Sequence, residues 1–374
     1  VAPVALSLLI MIAGLAFLWP GRWQPIAAVA APAQAEDDAT REDTPEAKPV
    51  PVRTDWERAL MPDHLASTLT AGLGAMAVAV AFLAPDLAST GYIFTGFIAL
   101  TVALALFSAA RNYATYPAIA AALAAIGGIR TVTFATASGT FVAPDAGNMA
   151  TYVDPLVVSW VALGLGLFFA ATGIGLTLLR RGAQTPHAMI WSVLATATPL
   201  ILATISFTMF GNYAFDLKHG LFAILLALAY LGAAEFAFRD RTDDGGYVFT
   251  RDLFLAASFA ALVYALIVMT NGAATTIGAA AIGFVYLLGQ RLRNWPVLPW
   301  AMVAAAIFVA GRIAWEPTIV GVDHLGTTPV FNALLAGYGI PSLLLIVSAW
   351  ILRDNSDDRI RSVMQALASL FTLL

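Results

Sequence analysis

The chain of 374 residues is 60% hydrophobic and only 11% charged, with a formal net charge of −4 and no cysteine. A soluble domain carries roughly 25% charged residues. A mean hydropathy of +0.81 therefore excludes a soluble globular protein. The missing thiols exclude disulfides and cysteine catalysis within these residues.

Apolar runs near the ~20 residues needed to cross ~30 Å of hydrocarbon recur along the whole chain. They read as 1–19, 66–84, 91–110, 114–134, 156–179, 187–209, 219–238, 253–270, 272–289, 299–315, 333–352 and 362–374. Unpaired backbone amides cost several kcal/mol in lipid, so each run must be a helix or part of a closed barrel. Runs this long without period-two alternation exclude the barrel. The expected fold is all-α, a polytopic transmembrane bundle of twelve spans. The last run is short, and the chain opens at Val1 without a charged flank, so both ends are expected to be edges of a longer protein.

Between the first two runs lies an acidic loop, 31–65, with Glu36-Asp37-Asp38, Glu42-Asp43, Glu46 and prolines at 45, 49 and 51. High charge and proline mark a solvated linker. Ala33-Gln34-Ala35 imitates a signal-peptide cleavage site, but the basic stretch that opens a signal peptide is missing. Lys and Arg are retained on the cytoplasmic side of short loops. Sixteen fall in odd-numbered loops and only Arg130 and Lys218 in even-numbered ones. The odd loops are thus expected to face the cytoplasm.

The chain also repeats itself. Arg111-Asn112-Tyr113, Pro117 and Arg130 return as Arg293-Asn294-Trp295, Pro299 and Arg312 at a constant offset of 182 residues. Two parallel six-helix repeats are expected, 1–209 and 210–374, because an even number of spans returns the chain to the side it entered from. Such symmetry commonly places a substrate pathway between the halves.

The matched arginines are the leading site candidates, since a charge at mid-bilayer costs ~2.5–3.5 kcal/mol on insertion scales. Each lies thirteen residues after its proline, ~20 Å along the helix. There Arg130 and Arg312 either bind an anionic headgroup or snorkel to the interface. Glu316 falls one turn after Arg312, and the next loop carries Asp323 and His324, a combination suited to an anionic headgroup or to acid/base work. Glu235 lies a turn before Arg239 and is expected to pair with it. His187 and His219 sit at helix mouths, and Asp216, Lys218 and His219 share one short outer loop. Four scattered histidines supply no metal cluster. Phosphate loops, nucleophile elbows and zinc motifs are absent, so no catalytic residue, cofactor, metal or nucleic-acid partner is expected.

Phe331-Asn332-Ala333-Leu334-Leu335-Ala336-Gly337-Tyr338-Gly339-Ile340-Pro341, between Gly311-Arg312-Ile313-Ala314-Trp315 and Leu352-Arg353, resembles the C-terminal portion of the bacterial domain of unknown function 2339 family. The resemblance implies a polytopic protein of the bacterial cytoplasmic membrane and transfers no catalytic residues. Within the motif, Asn332 and Tyr338 are candidates to face a polar interior, while the glycines allow close helix approach and Pro341 kinks its span. The bilayer is the expected partner, with an anionic lipid or lipid-linked substrate as the ligand class. Transport between the two repeats is the leading functional expectation, ahead of a membrane scaffold and then an envelope enzyme.

Overall fold

The computed structural model describes residues 90–110, 115–137, 154–179, 186–238, 245–315, 335–353 and 357–373. The expected spans 1–19 and 66–84 and the acidic loop lie outside these residues. Ten α-helices follow in order: α1 Thr90–Ala110, α2 Thr115–Ala137, α3 Pro155–Leu179, α4 Pro186–Phe210, α5 Leu217–Phe238, α6 Gly245–Met269, α7 Ala273–Gly289, α8 Leu298–Trp315, α9 Ile340–Ile351 and α10 Asp358–Leu373. A π-helical turn, Leu335–Gly339, leads into α9. Six helices, α2 to α6 and α8, are long and apolar enough to cross a membrane, and α1, α7 and α9 carry shorter apolar stretches.

The chain forms two compact units. In the first, α1 and α2 pack together, and the opening turns of α4 join them. His187 is the buried tie. Its Nε2 lies 3.1 Å from the Ser108 carbonyl and its Nδ1 3.2 Å from Thr115 Oγ1. A carbonyl can only accept, so Nε2 carries the proton and a neutral ring accepts from Thr115 at Nδ1. Trp191 Nε1 adds a bond to Ser108 Oγ at 3.3 Å. Both ring nitrogens are satisfied, which makes this histidine a structural link.

In the second unit the α5–α6 seam is densest. Small residues (Ala223, Ala227, Ala234) let the helices approach, and Tyr230 and Phe254 stack with centroids 5.8 Å apart. Pro199 inside α4 has no N–H to give to the Ala195 carbonyl, four residues back. Tyr230 of α5 donates its hydroxyl to that oxygen at 2.6 Å, closing the gap in the ladder from a neighbouring helix. Gly166 of α3 faces the same proline, and a Cβ there would meet Pro199 Cα at 3.2 Å. Further along, Gly283 of α7 sits so close to α8 that a Cβ would fall 2.5 Å from that of Ala305.

In the first turn of α9, Pro341 removes an amide from the helix, and the turn before it, Leu335–Gly339, has π geometry. α10 differs from the short transmembrane run expected at 362–374: it begins at Asp358, and its buried residues Ile360, Met364 and Phe371 form one stripe. That stripe packs with Leu345 and Leu352 in a single apolar cluster, as an amphipathic helix packs.

Candidate functional site

Loops of the second unit alternate between two ends. At one end, Asp216 N donates to the Val268 carbonyl and Asn271 Nδ2 to the Ala214 carbonyl, which joins the α4–α5 loop to the α6–α7 turn. At the other, the end of α5, the start of α6 and the α7–α8 connection meet through arginines.

Arg293 forms a forked ion pair with Glu235, Nε to Oε2 at 3.0 Å and Nη2 to Oε1. The expected partner, Arg239, lies outside the described residues. The partner observed comes from another connection because α5 ends beside it, and a planar guanidinium matches both carboxylate oxygens. Two residues on, Trp295 lies beneath the buried Arg251, 5.1 Å from its guanidinium carbon. Arg251 also binds Asp252 through Nε and Nη2 at 2.9 and 2.8 Å. The second copy of the repeated Arg-Asn-aromatic triplet is therefore a clip that gathers α5 and α6, and Arg291 stands exposed next to it.

Between these ends, α6 and α8 line a half-open cavity of about 540 Å³, with Tyr286 of α7 also in its wall. Small side chains, Ala256, Ala260, Ala301 and Ala304, line it together with Phe259 and Phe308. The walls run from Leu255 to Ile267 on α6 and from Leu298 to Phe308 on α8, a length of about 15–18 Å. That is close to half of the ~30 Å hydrocarbon core. The polar tips in the wall are satisfied: Tyr286 Oη bonds Ser258 Oγ at 2.5 Å, and Tyr264 Oη donates to the Ala203 carbonyl at 2.9 Å. What remains open to a ligand is hydrocarbon in character.

At the end away from the arginines, a line of polar side chains crosses α3, α4 and α5. Lys218 Nζ donates to Ser159 Oγ at 2.5 Å, Ser159 Oγ lies 2.7 Å from Ser206 Oγ, and Ser206 Oγ lies 2.9 Å from His219 Nε2. His219 Nδ1 is 2.8 Å from Asp216 Oδ2, a close contact without the alignment of a full hydrogen bond and an ion pair only when the ring is protonated. Ser159, Ser206 and His219 are fully buried. Asp216 caps α5 by accepting the His219 amide on Oδ1 and takes the Asn212 amide on Oδ2, each at 3.0 Å. Burial pulls its carboxyl upward, yet the two amides and the His219 ring outweigh that and hold it below the ordinary aspartate value. Phe207 packs edge-on against both His219 and Tyr264, so its ring separates the polar line from the head of the cavity.

Of the residues proposed from sequence, Arg130 is exposed near the end of α2, Arg312 is half-buried in the last turn of α8, and Tyr338 is half-buried in the π-helical turn. Arg312 follows Phe308 by one turn, beyond the cavity wall on the same face. Glu316, Asp323, His324 and Asn332 lie outside the described residues. The cavity and the serines of the polar line were not foreseen. Asp216, Lys218 and His219 were visible as a shared loop, but Ser159 and Ser206 sit in uniformly apolar runs where a serine carries no signal. Among the described residues no cluster of His or carboxylates has the makings of a metal site.

Six membrane-length helices among the described residues, glycine-mediated contacts and the satisfied backbone gap at Ala195 define an integral, multi-pass membrane protein. The chain matches the model of the DUF2339 family, described as a predicted membrane protein, over residues 59–374, and it belongs to that family. No curated protein and no solved structure matches it.

Proposed function

We propose that the protein carries an anionic amphiphile, a lipid or a lipid-linked substrate, across the bacterial cytoplasmic membrane. Its acyl chain occupies the α6–α8 cavity and its headgroup lies at the arginine-bearing end. The apolar cavity carries this reading: a purely structural bundle gains nothing from a recess that forfeits packing contacts. Its length suits one leaflet, and the exposed Arg291 supplies charge of the right sign at the matching end. By the bias of Lys and Arg, that end is cytoplasmic.

The proposed duplication agrees with this use. At the offset of 182, α1 and α2 fall on α7 and α8 to within a few residues, and each pair packs as neighbours. Parallel repeats of this kind suit movement of one half against the other. The cavity itself lies within the second proposed repeat, 210–374, so the ligand would be held by one half.

Native mass spectrometry of the protein in nanodiscs of mixed phosphatidylglycerol and phosphatidylcholine tests the assignment. The wild type should retain the anionic lipid preferentially. Ala304→Trp, which fills the recess, should release it, and Arg291→Gln should erase the preference while leaving retention. Equal retention by the wild type and Ala304→Trp would overturn the proposal.

A further inference from the structure

The polar line at the far end has a direction that its chemistry fixes. A carboxylate oxygen 2.8 Å from a bare ring lone pair would repel it, so the His219 nitrogen facing Asp216, Nδ1, carries hydrogen although the contact is not an aligned hydrogen bond. In the neutral ring Nε2 must then accept from Ser206. Ser206 has one proton to give and accepts in turn from Ser159, and Ser159 accepts from the Lys218 ammonium. Each link is 2.5–2.9 Å long, and each hydroxyl has one donor behind it and one acceptor ahead. Polar chains of this kind at membrane depth are associated with proton relays.

We propose that Lys218, Ser159, Ser206 and His219 form a proton relay that exchanges a proton between a partly exposed amine and a buried imidazole. The Lys218 N–H bond breaks as the Ser159 Oγ gains a proton. The Ser159 proton passes to Ser206, and the Ser206 proton forms a bond to His219 Nε2. The products are a neutral amine and an imidazolium facing Asp216, with both hydroxyls regenerated and the charge of the cluster unchanged. The reverse shift restores the ammonium. The device presents at its half-buried end a Lys218 side chain, beside the Trp160 ring at 5.8 Å, whose amine accepts or releases a proton without water reaching His219. Among the described residues, the charged groups facing the imidazole are Asp216 and Lys218. Phe207 is its aromatic neighbour, and Tyr264 of α6 meets that ring with its hydroxyl committed to Ala203. A serine-nucleophile reading of Ser206, His219 and Asp216 fails on access, because the Ser206 side chain is fully enclosed.

The inference is independent of the lipid cavity, and its test reads neither lipid nor transport. Nitrogen-15 histidine NMR of the full chain in nanodiscs, with His219 assigned through His219→Gln, reports the tautomer. The proton is expected on Nδ1 with Nε2 as acceptor. A neutral His219 protonated on Nε2 would overturn the relay in the wild type alone. Competitive acetylation read by mass spectrometry then follows the Lys218 amine at pH 8. Ser206→Ala and His219→Gln should each lower its reactivity about tenfold by removing the route or the acceptor, and Ser206→Thr, which keeps the hydroxyl, should restore it. Unchanged reactivity in His219→Gln, or failure of threonine to rescue, would refute the proposal.

Discussion

The two ends of the second unit handle charge in opposite ways. At the basic end, arginines meet carboxylates directly: Arg293 and Glu235 are each about one-third exposed, and Arg251 is held between Asp252 and Trp295. At the other end, Lys218 and Asp216 are joined through two hydroxyls and an imidazole, nearly all of it enclosed. Between them polar atoms are satisfied by their own helix, as Thr196 is by the Ser192 carbonyl, or by a partner helix, as Ala195 is by Tyr230. The same types of group therefore differ in energetic weight according to the water around them. Near water a pair is nearly free to break; in the enclosed regions each unsatisfied atom bears its full desolvation cost.

This contrast is sharpest away from both ends. Tyr230→Phe leaves the Ala195 carbonyl without the hydroxyl that replaces the missing Pro199 amide, and should destabilise the protein by about 1–3 kcal/mol. Thermal unfolding in detergent checks it, and an unchanged midpoint would show that the gap beside the proline needs no neighbour. At the enclosed end, Asp216→Ala removes an N-cap and the anion facing His219, with an expected loss of about 0.5–2 kcal/mol in the same assay.

The sign of its pH dependence follows from the depressed folded-state value. Asp216 contributes stability that is complete above the ordinary carboxylate value of about 3.9 and is lost as pH falls through the lower folded value. Wild-type melting should therefore drop more steeply below about pH 4 than that of Asp216→Ala. At the basic end, Arg293→Ala should cost least, about 0–1 kcal/mol, because its ion pair is part-exposed and screened. A larger loss there than in Asp216→Ala, read by the same melts, would abolish the contrast.

Composition and run length alone determined that the chain is helical and lives in lipid. Hydrocarbon leaves a backbone few ways to satisfy itself, and among the described residues ten of the expected runs fall on helices, six of those helices long and apolar enough to cross a membrane. The repeated triplet also flagged residues of structural consequence, Arg293 and Trp295. Their partners stayed hidden, because Glu235 and Arg251 reach them across tens of residues.

Tertiary structure decided the rest. A serine in an apolar run looks the same whether it bonds its own helix or a neighbour's, so Ser159 and Ser206 became links only when three helices converged. The recess between α6 and α8 likewise has no one-dimensional trace: alanine reads as filler until the packing of two helices leaves it lining a cavity. Periodicity and hydropathy report what each segment must hide from water, whereas the choice of which segment hides it is made by packing.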